Sequence, residues 1–548
     1  MPRLGLAALP WLDPGHRPRI DPRALRPGIL HLGIGAFHRA HQAVFTEDAL
    51  AATGEVDWAI CGVTQRSRDV LDRLRPQDGL YGLLERDPGG TALRVVGTVR
   101  EVLSAAGDWG ALAARFADPA TRIVSLTVTE KGYRYDPATG RLRGDDPDTV
   151  ADVEAVANLR TANLRTVANL GTVGGAAANL ATVTGKAANF GAAANPGAAA
   201  NPGAAANLAG GPPRTVLGQL VRGLAARRAA DAGPVTVLCC DNLADNGATL
   251  RALVGDFVAR AGDDGLAAWI ADSVRFPSTM VDRIVPAATD ADRAEVARLL
   301  GVADEGTVVT EPFRQWVIED DFAAGRPAWE RAGATLTDDV APYETLKLRL
   351  LNGSHSTLAY LGALAGYGHI AEAVADDTLH EAAARLMADD VTPTLRVPAG
   401  FDVAGYTASV LTRFANPALR HRTTQVAMDG SQKLPPRLLG TVRDRLAAGA
   451  EPRWAALGVA AWMRYVWAAA DDHGAPLPVE DPLAGRIRRL VAAAADPGQA
   501  VGTLLGLAEV FGGDLPADPV FRRLVTEQVE QLTAYGALAT VKDRLRRG

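Results

Sequence analysis

Four short, mostly apolar runs stand out in the first half of the chain, at 28–32, 58–63, 122–128 and 234–240. A helical pattern follows the first run over 37–52, and a polar stretch follows the second. Residues 308–318 supply one or two further strands. Strands alternating with helical stretches predict a parallel, doubly wound α/β sheet. From about Tyr343 the pattern changes. Long Leu/Ala-rich segments take over at 343–366, 368–390, 436–447, 453–470, 481–495, 498–510 and 518–546, separated by Gly, Pro and Asp. This predicts a sheet domain over 1–335 and a mostly α-helical domain over 336–548, with the boundary inside 305–340.

One stretch fits neither pattern. Residues 156–213 read as degenerate copies of a small unit, with Asn after Ala at Asn158, Asn163, Asn169, Asn179, Asn189, Asn195, Asn201 and Asn207. Charges nearly vanish, and Pro196, Gly197, Pro202 and Gly203 break helices. Such small side chains bury too little apolar area to offset the entropy of ordering. A six-residue β-helix would need regular spacing and Val/Ile ladders, which are lacking. The expectation is a low-complexity, disordered surface insertion without catalytic role; the rival is a repeat that drives assembly.

The 548-residue chain is 48% hydrophobic and 22% charged, enough apolar material for large cores. Its formal net charge of −6 argues against a nucleic-acid partner. Three cysteines, Cys61, Cys239 and Cys240, cannot build a disulfide framework and fit a reducing cytoplasm. Prolines interrupt the first twenty residues, where no signal-peptide core stands, and no apolar run is long enough to span a bilayer. The expected location is therefore cytoplasmic, without a membrane partner. No H-E-x-x-H or C-x-x-C spacing occurs, so no metal is expected.

The segment Gly33-Ile34-Gly35-Ala36-Phe37-His38 lies between the first strand and the first helix. In a Rossmann-like sheet, a dinucleotide pyrophosphate sits at this turn, against backbone N–H groups. His38 stands where the third glycine of G-x-G-x-x-G would be, and a tight structural turn is the alternative. The second strand ends in Thr64-Gln65-Arg66-Ser67-Arg68, with no carboxylate before Asp69 to bind a ribose. Arg66 and Arg68 would tolerate a 2′-phosphate, so these residues leave NAD and NADP both open.

The most informative stretch is Pro342-Tyr343-Glu344-Thr345-Leu346-Lys347-Leu348-Arg349-Leu350-Leu351-Asn352-Gly353-Ser354-His355. At about 100° per residue, Glu344, Lys347, Asn352 and His355 share one arc of about 140°. A Lys on a buried polar face loses basicity and can act as general base toward an alcohol. Asn352 can hydrogen-bond an alkoxide or carbonyl oxygen. His355 can orient the substrate hydroxyl, and Glu344 can relay a proton. The alternative is a Glu344–Lys347 ion pair with a capping Asn. Further polar clusters stand at Cys240-Asp241-Asn242, at Asn246-Gly247 (read as a plain turn), at Thr279-Met280-Val281-Asp282-Arg283, at Arg420-His421-Arg422-Thr423 and at Asp429-Gly430-Ser431-Gln432-Lys433.

Taken together with Pro76–Tyr81 and Val128-Thr129-Glu130-Lys131-Gly132-Tyr133, these motifs make the chain resemble the mannitol dehydrogenase family. These are the zinc-independent long-chain polyol dehydrogenases, including mannitol 2-dehydrogenase and fructuronate reductase. The resemblance spans about 27–540 outside the insertion. It implies an N-terminal NAD-binding domain and a helical domain over the substrate cleft. It implies Lys347 as general base, Asn242 and Asn352 on the reacting oxygen, His355 positioning substrate, and Glu344 in proton exchange. It also implies cofactor contacts at Gly33, Gly35, Ala36, Phe37, His38, Arg66 and Glu130, and substrate contacts at Asp282 and Lys433. The expected partner is a small polyol or keto sugar, the expected state a monomer, and the first substrate pair mannitol and fructose. Mannonate and fructuronate are the alternative; a sugar acid needs a cation, for which Arg422 or Arg420 would serve. A non-catalytic dinucleotide-binding protein would keep the glycine turn and lose the base.

Overall fold

The computed structural model describes residues 1–136, 139–158 and 211–547. Most of the expected low-complexity insertion, 159–210, lies outside the described residues. The central sheet has 6 strands, in the spatial order Val274–Arg275, Val235–Cys239, Ile123–Leu126, Pro27–Leu32, Ala59–Thr64, Val99–Ser104. Every neighbouring pair is parallel. Counted along the chain, this is the 3-2-1-4-5-6 order of a dinucleotide-binding sheet, reversing direction beside Pro27–Leu32.

The strands read as unbroken apolar runs because both faces are covered. Successive side chains leave opposite faces. Leu30, Leu32, Cys61, Val63, Val124, Leu126, Val235 and Val237 enter one core with Phe116, Leu220 and Phe257. Ile29, Ile60, Ile123 and Leu238 enter the other, with Phe45, Trp316 and Trp329. Inside the sheet, His31 sits between Ser125 Oγ (2.8 Å from Nδ1) and Thr127 Oγ1 (2.8 Å from Nε2). Burial pulls its pKa down to about 3, so it is a neutral tie between strands.

Four expected strands stand within a residue or two of their predicted ends. The stretch after the second strand differs from expectation. It holds the edge strand Val99–Ser104 and an antiparallel hairpin, Tyr81–Asp87 with Gly90–Val96. The expected helix over 37–52 is two helices, Ala36–Ala40 and Gln42–Thr53, broken at His41. The 308–318 region gives two strands in different small sheets, Val308–Thr310 and Gln315–Glu319. Asn246-Gly247 is not a plain turn: it opens the helix Asn246–Ala261. The buried Asn246 amide accepts from Thr279 N (2.8 Å) and donates to Thr279 O (2.9 Å).

The second half is a helical assembly around Arg453–Ala468, which packs against Ser354–Leu364 and Pro519–Tyr535. Leu358, Tyr360, Trp462, Phe511 and Phe521 lie in its core. The helix Val403–Phe414, absent from the sequence expectation, carries Arg413 back onto the sheet domain. Where the insertion leaves and rejoins the fold, one buried carboxylate holds the returning chain. Asp152 accepts from Arg214 N (2.9 Å), Thr215 N (2.8 Å) and Thr215 Oγ1 (2.7 Å).

Candidate active site

The Lys347 stretch is not a regular α-helix. Ala341–Leu346 and Ser354–Leu364 are α-helical, but Lys347–Gly353 between them is a π-turn. A π-turn takes in one extra residue, and such bulges recur at functional sites. The extra residue turns Asn352 and His355 back by about 100°, which narrows the arc they share with Glu344 and Lys347 from about 140° to about 80°. The bulge thus brings the polar groups closer together than an ideal helix would.

Lys347 is 7% exposed. Its Nζ donates to Asn242 Oδ1 (2.6 Å) and to the Val281 carbonyl (2.6 Å). Burial lowers its pKa; Asp282 opposes this, and Arg437 and Arg413 add to it. The expected alternative, a Glu344–Lys347 ion pair, does not form. Glu344 instead accepts from Asp245 N (3.2 Å), and burial raises its carboxyl pKa. Asn352 Oδ1 and His355 Nε2 are buried and find no hydrogen-bond partner among the described residues. An orphaned buried polar atom costs about 1–3 kcal/mol. His355 stacks on Phe414 at 4.7 Å, and burial keeps its imidazole neutral.

Asn242 follows the strand Val235–Cys239, at the sheet's carboxyl edge. The neighbouring Asp241 fixes this loop by accepting from Val128 N (2.9 Å), Thr129 N (2.9 Å) and Tyr133 OH (2.6 Å). These bonds hold Thr129 at φ 69°, a costly region for a β-branched residue, beside Glu130. Burial raises the Glu130 carboxyl and Arg437 pulls it down.

Gly33, Gly35, Ala36 and Phe37 form a partly exposed turn at the switch point. Gly33 has φ +103, and a Cβ there would lie 2.1 Å from the Thr127 carbonyl oxygen, so only glycine fits. The His38 ring does not face this turn. It is wholly buried and stacked on His31 at 3.4 Å, so its side chain is core packing and only its backbone is near the turn. Arg66 is exposed just past the strand Ala59–Thr64, where an adenosine ribose lies in this fold.

On the substrate side, two expectations change. Asp282 is not free. Arg413 grips it through Nη1 (2.7 Å) and Nη2 (3.0 Å), and grips Glu311 through Nε (2.9 Å) and Nη2 (2.8 Å). Arg422 is exposed and pairs through its backbone with His369, and its side chain makes no hydrogen bond or ion pair with the Lys347 cluster among the described residues. Besides Arg413, the cations whose charge reaches His355 are Lys433 and Arg437, and Arg437 was not among the expected site residues. Gly353 marks its position: a Cβ there would meet the Arg437 carbonyl oxygen at 2.8 Å. Thus the π-turn Lys347–Gly353 packs on a second one, Pro435–Leu439. No group of three or more potential metal ligands occurs among the described residues.

The sequence profile of the mannitol dehydrogenase Rossmann domain matches residues 27–331, and that of the mannitol dehydrogenase C-terminal domain matches residues 339–533. The chain belongs to the mannitol dehydrogenase family. Its members are oxidoreductases acting on CH–OH groups, and this chain is one of them. It is 42% identical over 527 residues to an uncharacterized oxidoreductase of Escherichia coli (strain K12), covering 95% of each chain. It is 41% identical over 530 residues to D-mannonate oxidoreductase of the same organism, covering 96% of this chain and 97% of the other. Among solved structures, Pseudomonas fluorescens mannitol 2-dehydrogenase, in a ternary complex with NAD and D-mannitol, superposes with TM-score 0.80 at 34% identity, covering 100% of both chains.

Proposed function

We propose that this protein is an NAD-dependent dehydrogenase that interconverts a secondary alcohol and a ketone on an open-chain sugar derivative, with Lys347 as the general base. The carrying observation is the buried Lys347 Nζ, tied to Asn242, beside the unpartnered Asn352 Oδ1 and His355 Nε2. A substrate bearing neighbouring hydroxyls satisfies these atoms. Burial lowers the Lys347 pKa and so favours the neutral amine that takes a hydroxyl proton. The Asn242 and Asn352 amides stabilise the oxygen as its charge changes, and neutral His355 orients an adjacent hydroxyl. Glu344, held at its raised pKa, passes the proton outward. NAD, when bound, supplies the hydride acceptor for the carbinol carbon. The Gly33 turn at the switch point fits its pyrophosphate. Gly35, Ala36, Phe37 and the His38 backbone would line the turn, Glu130 would face the bound cofactor, and the exposed Arg66 leaves room for NADP.

The first expected substrate pair was mannitol and fructose. The higher identity to D-mannonate oxidoreductase than to the solved mannitol 2-dehydrogenase favours the sugar-acid pair, mannonate and fructuronate. The test of the base is Lys347→Met. Its kcat should fall by about 10²–10⁴ on every substrate, with NADH binding by fluorescence titration retained. Wild-type turnover in that variant would remove Lys347 from the chemistry.

A further inference from the structure

The Lys433–Arg437 stretch sets two cations beside the Lys347 cluster with no direct ion pair; Glu130, Asp429 and Asp481 act on them only from beyond ion-pair distance. Lys433 Nζ has one hydrogen bond, to the Val426 carbonyl (3.3 Å). The Arg437 guanidinium carries five donors; its one hydrogen bond runs from Nη1 to Ser356 Oγ (2.9 Å). Among the described residues, neither cation has a carboxylate within ion-pair distance. By contrast Arg413, whose charge also acts on Lys347, is saturated by Asp282 and Glu311.

Position narrows the anion. Arg437 is locked by the packing of Gly353 on its carbonyl and by its bond to Ser356, the residue after His355. It is close enough to Lys347 and His355 to disfavour a positive charge on either. The cofactor's pyrophosphate belongs at the Gly33 turn of the other domain, whereas Arg437 belongs to the helical domain and is bonded to Ser356, next to His355. Crowding unpaired cations in a partly desolvated site is costly unless a ligand anion balances them. Guanidinium matches a carboxylate through two parallel N–H donors, which a neutral polyol cannot reproduce.

We propose that Arg437, with Lys433 beside it, anchors the carboxylate of an open-chain sugar acid, so that the substrates are keto acids and hydroxy acids rather than neutral ketoses and polyols. This rests on the dehydrogenase reading above. The test uses the full-length enzyme with NADH and the probes D-fructuronate, D-tagaturonate and D-fructose. Wild type should show the higher kcat/KM on one of the two acids. Arg437→Leu should lower the acid-to-fructose ratio of kcat/KM by about 10- to 150-fold, as loss of a hydrogen bond to a charged group does, mainly through KM. Arg437→Lys should restore part of it. A wild-type preference for fructose, or an unmoved ratio in Arg437→Leu, overturns the proposal. Should Arg437→Leu fail to fold, competition on the wild type decides: D-gluconate must inhibit acid reduction at least tenfold better than D-glucitol, and equal inhibition refutes it. Failure of the base assignment looks different, since Lys347→Met would then keep turnover on acids and fructose alike.

Discussion

Replacing Arg413 by Met tests how the two halves of the molecule are joined. Arg413 comes from the helical domain, and both carboxylates it holds, Asp282 and Glu311, come from the sheet domain. The side chains of Arg413, Asp282 and Glu311 are 6%, 7% and 2% exposed, so water cannot take the place of the guanidinium. Removing one partner from such a buried network leaves uncompensated charge and costs about 3–5 kcal/mol. Urea unfolding followed by Trp fluorescence reads this as a lower midpoint at unchanged slope. A triple variant, Arg413→Met with Asp282→Asn and Glu311→Gln, should regain more than half of the loss, because it strands no charge. Kinetics provide a second readout. Without Arg413, the positive charge that disfavours the Lys347 ammonium is gone and Asp282, which favours it, is no longer neutralised. Both changes raise the Lys347 pKa. Alcohol oxidation needs the neutral amine, so its pH profile should move toward alkaline values. A stability loss below about 1 kcal/mol, or a profile moved toward acid, would refute this account of the interface.

Other outcomes follow from single features of the fold. Gly33→Ala forces a Cβ into the Thr127 carbonyl at positive φ, so NADH affinity should fall at least tenfold; unchanged affinity by titration would show that the turn does not hold the cofactor. Arg66→Glu should raise the NAD-to-NADP ratio of kcat/KM, and an unchanged ratio would place the ribose elsewhere. Burial, aided by Arg437, pulls the Lys433 pKa down to about 8, against Asp429, Glu130 and Asp481. As pH rises through that value the ammonium is lost, so KM for the acid should climb while that for fructose does not. Asp152→Ala removes the bonds that hold Arg214 and Thr215 and should cost about 1–3 kcal/mol without changing kcat.

The central strands were legible in the sequence because a strand buried on both faces writes itself as a solid apolar run. The hairpin Tyr81–Asp87 and Gly90–Val96 was not, because its charges resemble a loop. They are charges with distant partners, such as Arg86 with Asp292 at 2.5 Å. The helix Val403–Phe414 escaped because Thr, Ser, Gly and Val dilute its Leu/Ala signature. In the site, spacing put Lys347, Asn352 and His355 on one face but left an ion-pair alternative open, and the role proposed for Asn242 came from the family resemblance, its place after a strand marking only a polar cluster. The π-turn was not legible: it changes phase without any residue that announces it. Arg413 and Arg437 were missed for a related reason, since what gives each its meaning lies far away in the chain or in a neighbouring turn.

The grip of Asp152 also sets where the chain re-enters the sheet domain. Its carboxylate takes the backbone N–H groups of Arg214 and Thr215 and the Thr215 hydroxyl, and Thr215 in turn caps the helix Val216–Ala229. The start of that helix is therefore fixed by a contact to a residue 62 positions earlier in the chain, not by the residues just before it. One carboxylate acts as the anchor point from which the second half of the sheet domain is laid down.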